Sequence, residues 1–180
     1  RMLALYFFIA TCIVIASCAD TNRTSSEPLK ETIARFDTDY TLAKVISSRN
    51  YYDDYQLEHP PILSSETSSI YKARKHKEPA KVVAIKKVQL SKVQMSLPRA
   101  EREVRLMKFL KHERLVDTFD VYKWNGYLIM AMEWFEKGTL NRYSFKKKNH
   151  ANMPADIAVG VIRQIAQGLQ YLHRFNIIHR

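Results

Sequence analysis

The chain reads as α+β: a small antiparallel sheet carrying one helix, followed by helices. Three observations lead there. β-rich runs fill much of residues 55–134, and two of them flank an Asn125-Gly126 turn. One amphipathic stretch, Pro98–Lys111, interrupts them. After Gly138 the apolar spacing changes to a period near 3.6.

The elements follow in order. Tyr55–Leu63 is a strand weakened by Pro60-Pro61, because proline gives no donor to a ladder. Ile70–Arg74 and Val82–Val88 are rich in β-branched residues. Pro98–Lys111 sets Val104, Met107, Phe109 and Leu110 among charges, and Pro98 suits a first helical turn. Leu115–Trp124 and Tyr127–Trp134 form a hairpin, since Asn and Gly both tolerate positive φ. Ala158, Val161, Ile162, Ile165, Leu169 and Leu172 mark one helix face, with Pro154 at its start.

With 180 residues, 46% hydrophobic and 26% charged, the chain suits one domain plus a tail and is not a disordered polymer. Cys12 and Cys18 are its 2 cysteines, and both lie in the N-terminal apolar run. A disulfide scaffold and a cysteine zinc site are therefore excluded for the body. The net charge of +11 is compatible with acidic surfaces, but no nucleic-acid partner is expected.

The uncharged run Met2–Ala19 fits three origins: a secretory signal peptide, a membrane anchor at the lower length limit, or an artefact of translation upstream. Asn22-Arg23-Thr24 is a glycosylation sequon that matters only in a luminal chain. Residues 20–54 read as a polar linker, with a short helix around Glu31–Phe36. The body is taken as 55–180. Lys146-Lys147-Lys148 reads as a solvated face.

Four segments carry a resemblance. Val83-Ala84-Ile85-Lys86 sits on a strand. Glu103 follows on the amphipathic helix and opens a run through Val116. Met132-Glu133-Trp134-Phe135-Glu136-Lys137-Gly138 comes next, and Leu169–His173 leads to Ile177-Ile178-His179-Arg180. In this order and on these elements they resemble the protein kinase superfamily over about residues 55–180, of the serine/threonine type. The resemblance implies a kinase small lobe and the first helices of a truncated helical lobe. It implies ATP and Mg2+ as cofactors and a protein substrate or kinase partner. Lys86 would hold the α- and β-phosphates and Glu103 would orient it. Ile70 and Ala84 would roof the adenine, and Met132 would limit pocket depth. The Glu133 carbonyl and Phe135 backbone would bond the adenine edge. His179 and His112 would be structural.

The resemblance breaks at the phosphate loop. The three glycine places fall on Leu63, Ser65 and Ser68, and no glycine precedes Gly126. Ser65 and Ser68 could still offer hydroxyls to a phosphate. Non-glycine residues held at positive φ cost about 1–2 kcal/mol each, so weakened nucleotide binding is expected. No metal ligand is assigned within the chain: the catalytic aspartate and the Mg2+ ligands are expected beyond Arg180, which reads the chain as an incomplete piece. Two functions stay open. One is an ATP-dependent protein serine/threonine kinase. The other is a pseudokinase scaffold or allosteric adaptor with weak or no nucleotide binding. A cytoplasmic domain is expected, or an anchored or secreted one if residues 2–19 are genuine.

Overall fold

The structure is a computed structural model that describes residues 36, 39–92, 97–138 and 154–178. Met2–Ala19, the sequon, residues 31–35 of the expected short helix, Lys146–Lys148, and His179 with Arg180 lie outside them. The chain forms two compact units. One takes in the described parts of Ser25–Lys111 and Asp117–Trp134, the other His112–Val116 and the described parts of Phe135–Arg180.

The first unit is built on a sheet. A short helix α1 (Leu42–Val45) is followed by strands β1 (Tyr55–Leu57), β2 (Leu63–Ser64), β3 (Ser68–Lys75) and β4 (Glu78–Gln89). Helix α2 (Leu97–Phe109) and strands β5 (Thr118–Trp124) and β6 (Tyr127–Glu133) complete it. The six described strands pair antiparallel in the order β1-β3-β4-β6-β5, with β2 also on β3. Pro60 and Pro61 fall between β1 and β2 and split the expected strand, as missing donors should.

The β5–β6 hairpin turns on Asn125 at φ 46° and Gly126 at φ 78°. Both central residues are left-handed, which matches the strand twist. β5 begins at Thr118 rather than Leu115, because Leu115 N donates to the His112 carbonyl in a turn at 3.0 Å. α2 places Ala100, Val104 and Met107 on one buried stripe.

The two faces of the sheet differ. Tyr55, Ala73, Val83, Ile85, Tyr122, Ile129 and Ala131 form a core on one face together with Tyr51. Tyr51 comes from a 3-10 turn, Tyr51–Asp53, upstream of β1, and is 1% exposed. The described part of residues 20–54 thus packs against the sheet. Its composition is polar, but Val45 and Tyr51 are buried, and Ser47 bridges to Tyr122 on the β5 edge. Few apolar anchors suffice when the backbone also finds a strand to pair with.

In the second unit, helix α3 (Ala155–Arg174) buries Val161, Gly168 and Leu172. Its Tyr171 stacks on His112 at 4.7 Å between ring centres, and Arg114 Nε donates to Gln167 Oε1 at 2.9 Å. Gly168 passes Arg114 closely: a Cβ there would stand 3.5 Å from both the Arg114 Cβ and its carbonyl oxygen.

Candidate functional site

Lys86 lies in the middle of β4, opposite Ile70 on β3 and Met130 on β6. Directly paired residues share a face, and so do residues two apart on a strand. Ala84, opposite Lys72 and Met132, therefore joins them. One face thus carries Ile70, Ala84, Lys86, Met130 and Met132, and all but Lys86 are buried. Lys86 is half-buried, with apolar residues as its neighbours on that face.

Helix α2 packs on that same face. Glu101 Oε1 is 3.6 Å from Lys123 Nζ. Lys123 pairs with Leu128, and Leu128 with Val88, two residues from Lys86. Glu103 is three residues from buried Ala100 and four from buried Met107, which sets it on the buried side of the helix. Its Oε2 atom is itself buried. Lys86 and Glu103 each take part in a polar or charged interaction. A half-buried cation and a buried carboxylate thus come from elements stacked on one face. At the end of α2 away from this region, Lys108 Nζ donates to the Phe119 carbonyl, and burial lowers its pKa.

Ser65 and Ser68 close the turn between β2 and β3. Ser65 N donates to the Ser68 carbonyl at 2.8 Å, and Ser68 N donates to Ser65 Oγ at 3.1 Å. The two hydroxyls are 3.1 Å apart, and so are those of Ser64 and Ser69. The positive-φ residues other than glycine are Asn125 and Asn176 among those described. The strain expected at Leu63, Ser65 and Ser68 is therefore absent. The loop avoids it by folding as a tight serine-bonded turn, which needs no left-handed residue.

The adenine-edge residues fall in different units. Glu133 ends β6, and its N–H donates to the Asp117 carbonyl at 2.9 Å. Phe135 belongs to the second unit, where its carbonyl accepts from Gly138 N at 3.0 Å and Gly138 sits at φ 66°. The sheet thus gathers Ile70, Ala84, Lys86 and Met132 on one face, with Glu133 next along β6. Among the described residues no group of three or more His, Cys, Asp or Glu side chains is placed to hold a metal ion.

The sequence does not show that Lys72 and Trp134 meet. Lys72 Nζ lies 5.6 Å from the centre of the Trp134 ring and 3.9 Å from Glu58 Oε2. The strand period already put Lys72 on the Ile70 face, but its aromatic partner is far away in sequence.

Comparison with known proteins identifies the family. The protein kinase domain family matches residues 64–180. A probable myosin light chain kinase of Dictyostelium discoideum is 29% identical over 124 residues, which are 68% of this chain and 31% of the relative. The serine/threonine-protein kinase PLK4 of Drosophila willistoni is 29% identical over 137 residues, 73% of this chain and 17% of the relative. The probable serine/threonine-protein kinase KCC4 of Saccharomyces cerevisiae is 35% identical over 80 residues, 44% of this chain and 7% of the relative. The chain spans less than a third of the length of each of these relatives. The match covers the sheet face with Lys86, the helix with Glu103 and the turn of serines alike: the chain belongs to the protein kinase family.

Proposed function

We propose that the sheet face bearing Lys86 binds ATP, in a domain that serves phosphoryl transfer to serine or threonine of a protein. One observation carries this reading. Lys86, Ile70, Ala84 and Met132 share a face, and helix α2 lays the buried side with Glu103 on it. An apolar floor suits a flat purine. A cation beside it suits the phosphates, and a carboxylate from the helix would hold that cation in place. The names of relatives such as the serine/threonine-protein kinase PLK4 support serine or threonine as acceptor. In the reaction the acceptor oxygen bonds the γ-phosphorus, the bond from that phosphorus to the ADP oxygen breaks, and the hydroxyl proton passes to a general base or to solvent. Bound Mg2+ would neutralise phosphate charge. Within this chain, Lys86 would bind and orient the α- and β-phosphates, Ile70 and Ala84 would exclude water from the adenine, and Met132 would bound its depth.

A second reading has one observation in its favour. In the Ser65–Ser68 turn the N–H groups and hydroxyls of the two serines bond each other. Such a loop offers phosphate less than a glycine loop does. This favours a scaffold with weak nucleotide binding.

Thermal unfolding with and without MgATP separates the two. Ligand at a hundred times its Kd adds about 2.7 kcal/mol of stability. The expected result is a clear rise in Tm at millimolar MgATP that Lys86→Met removes. No rise in the wild-type chain would overturn the nucleotide reading and leave the scaffold.

A further inference from the structure

The residues before β1 lie outside the matched region 64–180, yet they grip the helix that carries Glu103. The grip is on the stripe of α2 that holds Arg105 and Phe109, four residues apart. The Phe36 and Tyr40 rings meet Phe109 edge-on, at 5.3 and 5.2 Å between centres. The Arg105 guanidinium lies 4.5 Å from the centre of the Phe36 ring. Its Nε donates to the Tyr40 carbonyl and its Nη2 to the Phe36 carbonyl, the latter at 3.4 Å. A planar fork bonded to main-chain carbonyls and stacked on an aromatic face is a directional contact that lysine copies only in part.

The same segment then runs to the sheet edge. Ser47 N donates to the Val121 carbonyl, and Lys123 N donates to the Ser47 carbonyl, both at 2.9 Å. Lys123 in turn reaches Glu101, one turn before Arg105 on α2. The contacts close a ring: Arg105 to Tyr40, along the chain to Ser47, across to Lys123, back to Glu101 and down the helix. Past Ser47 the segment anchors through Tyr51, whose ring lies 5.5 Å from Lys87 Nζ on the core face. Rotating or sliding α2 would break this ring at Arg105 or Glu101. Glu103 lies between those two residues.

We propose that Arg105 is a positioning residue: by clasping the carbonyls of Phe36 and Tyr40 it locks α2 to an N-terminal strap, the described residues 36 and 39–54, and thereby fixes where Glu103 stands relative to Lys86. The strap is then a part of the site supplied from outside the family's domain. The effect on nucleotide rests on the function proposed above; the locking of α2 does not.

The test uses the full chain with two readouts. Amide hydrogen exchange reports α2 and the Lys123 amide, and titration with methylanthraniloyl-ATP and Mg2+ reports the site. Arg105→Met keeps the apolar stem and removes the fork. It should speed exchange along α2 and at Lys123 at least tenfold and weaken the nucleotide several-fold. Arg105→Lys, which keeps the cation over Phe36, should recover part of both. Ser47→Pro opens the strap at its far end by removing the donor to Val121, without touching α2; it should speed α2 exchange as well, and it serves if Arg105→Met does not fold. Unchanged α2 exchange in the folded variants overturns the clasp. Faster exchange with unchanged nucleotide affinity overturns the positioning role. A wild-type chain that binds no nucleotide, while Arg105→Met loosens α2, leaves the clasp standing and defeats the nucleotide reading instead.

Discussion

Thr118 sits opposite Met132 on the site face, is 1% exposed, and its Oγ1 has no hydrogen-bond partner among the described residues. A hydroxyl taken out of water without a partner costs stability. Thr118→Val, close in shape, should raise stability by about 1 kcal/mol in urea unfolding. A loss of that size would mean the hydroxyl is bonded after all. The buried tyrosines make a second prediction at this scale. Burial raises the pKa of Tyr55, and its hydrogen bond to Asp120 adds to that; Tyr122 behaves likewise with Asp54. Burial also raises Tyr51. A folded pKa above the unfolded one gives stability that is full below about pH 10 and is lost as pH climbs past it. Lys108, lowered by burial, acts the other way below the usual lysine pKa, but one lysine faces three tyrosines. The midpoint in urea should fall above pH 10, with tyrosine ionisation by absorbance appearing together with unfolding. Ionisation of all tyrosines before unfolding would contradict the burial of these three.

The hairpin between β5 and β6 shows at the element scale how a turn is written into a sequence. A Cβ on Gly126 would meet nothing within 4 Å, yet its φ is 78°. Gly126→Ala should therefore cost about 1–2 kcal/mol through the backbone alone, read as a lower urea midpoint with unchanged slope. A neutral result would show that the turn relaxes to another type. The strands and α2 were legible because period and turn chemistry act over a few residues. Their ends were less so: β4 extends to Glu78 and Gln89, past the expected 82–88, because pairing with β3 and β6 continues where propensity fades. The serine turn was misjudged for a related reason. Which φ a loop residue takes depends on the bonds that close the loop, here those between Ser65 and Ser68.

Over the sheet unit as a whole, the strap is the test of what completes it. A chain lacking residues 1–54 would uncover the core face that Tyr51 seals and the β5 edge that Ser47 covers. Losing the burial of Val45 and Tyr51 alone should cost roughly 3–6 kcal/mol, seen as a large drop in Tm or as aggregation through the opened edge. Wild-type stability after this deletion would show that the strap adds nothing.

Local order came from the residues themselves. Val83–Lys86 had to form a strand, Asn125-Gly126 had to turn it back, and Glu103 had to ride an amphipathic helix, because alternation, left-handed tolerance and a 3.6-residue stripe act between near neighbours. Shared faces followed from register: once Ile70, Lys86 and Met130 are opposite, the apolar floor under the lysine is set. Folding in three dimensions settled the rest. That a polar stretch would strap the sheet and that Arg105 would find the carbonyls of Phe36 and Tyr40 depend on groups far apart in the chain.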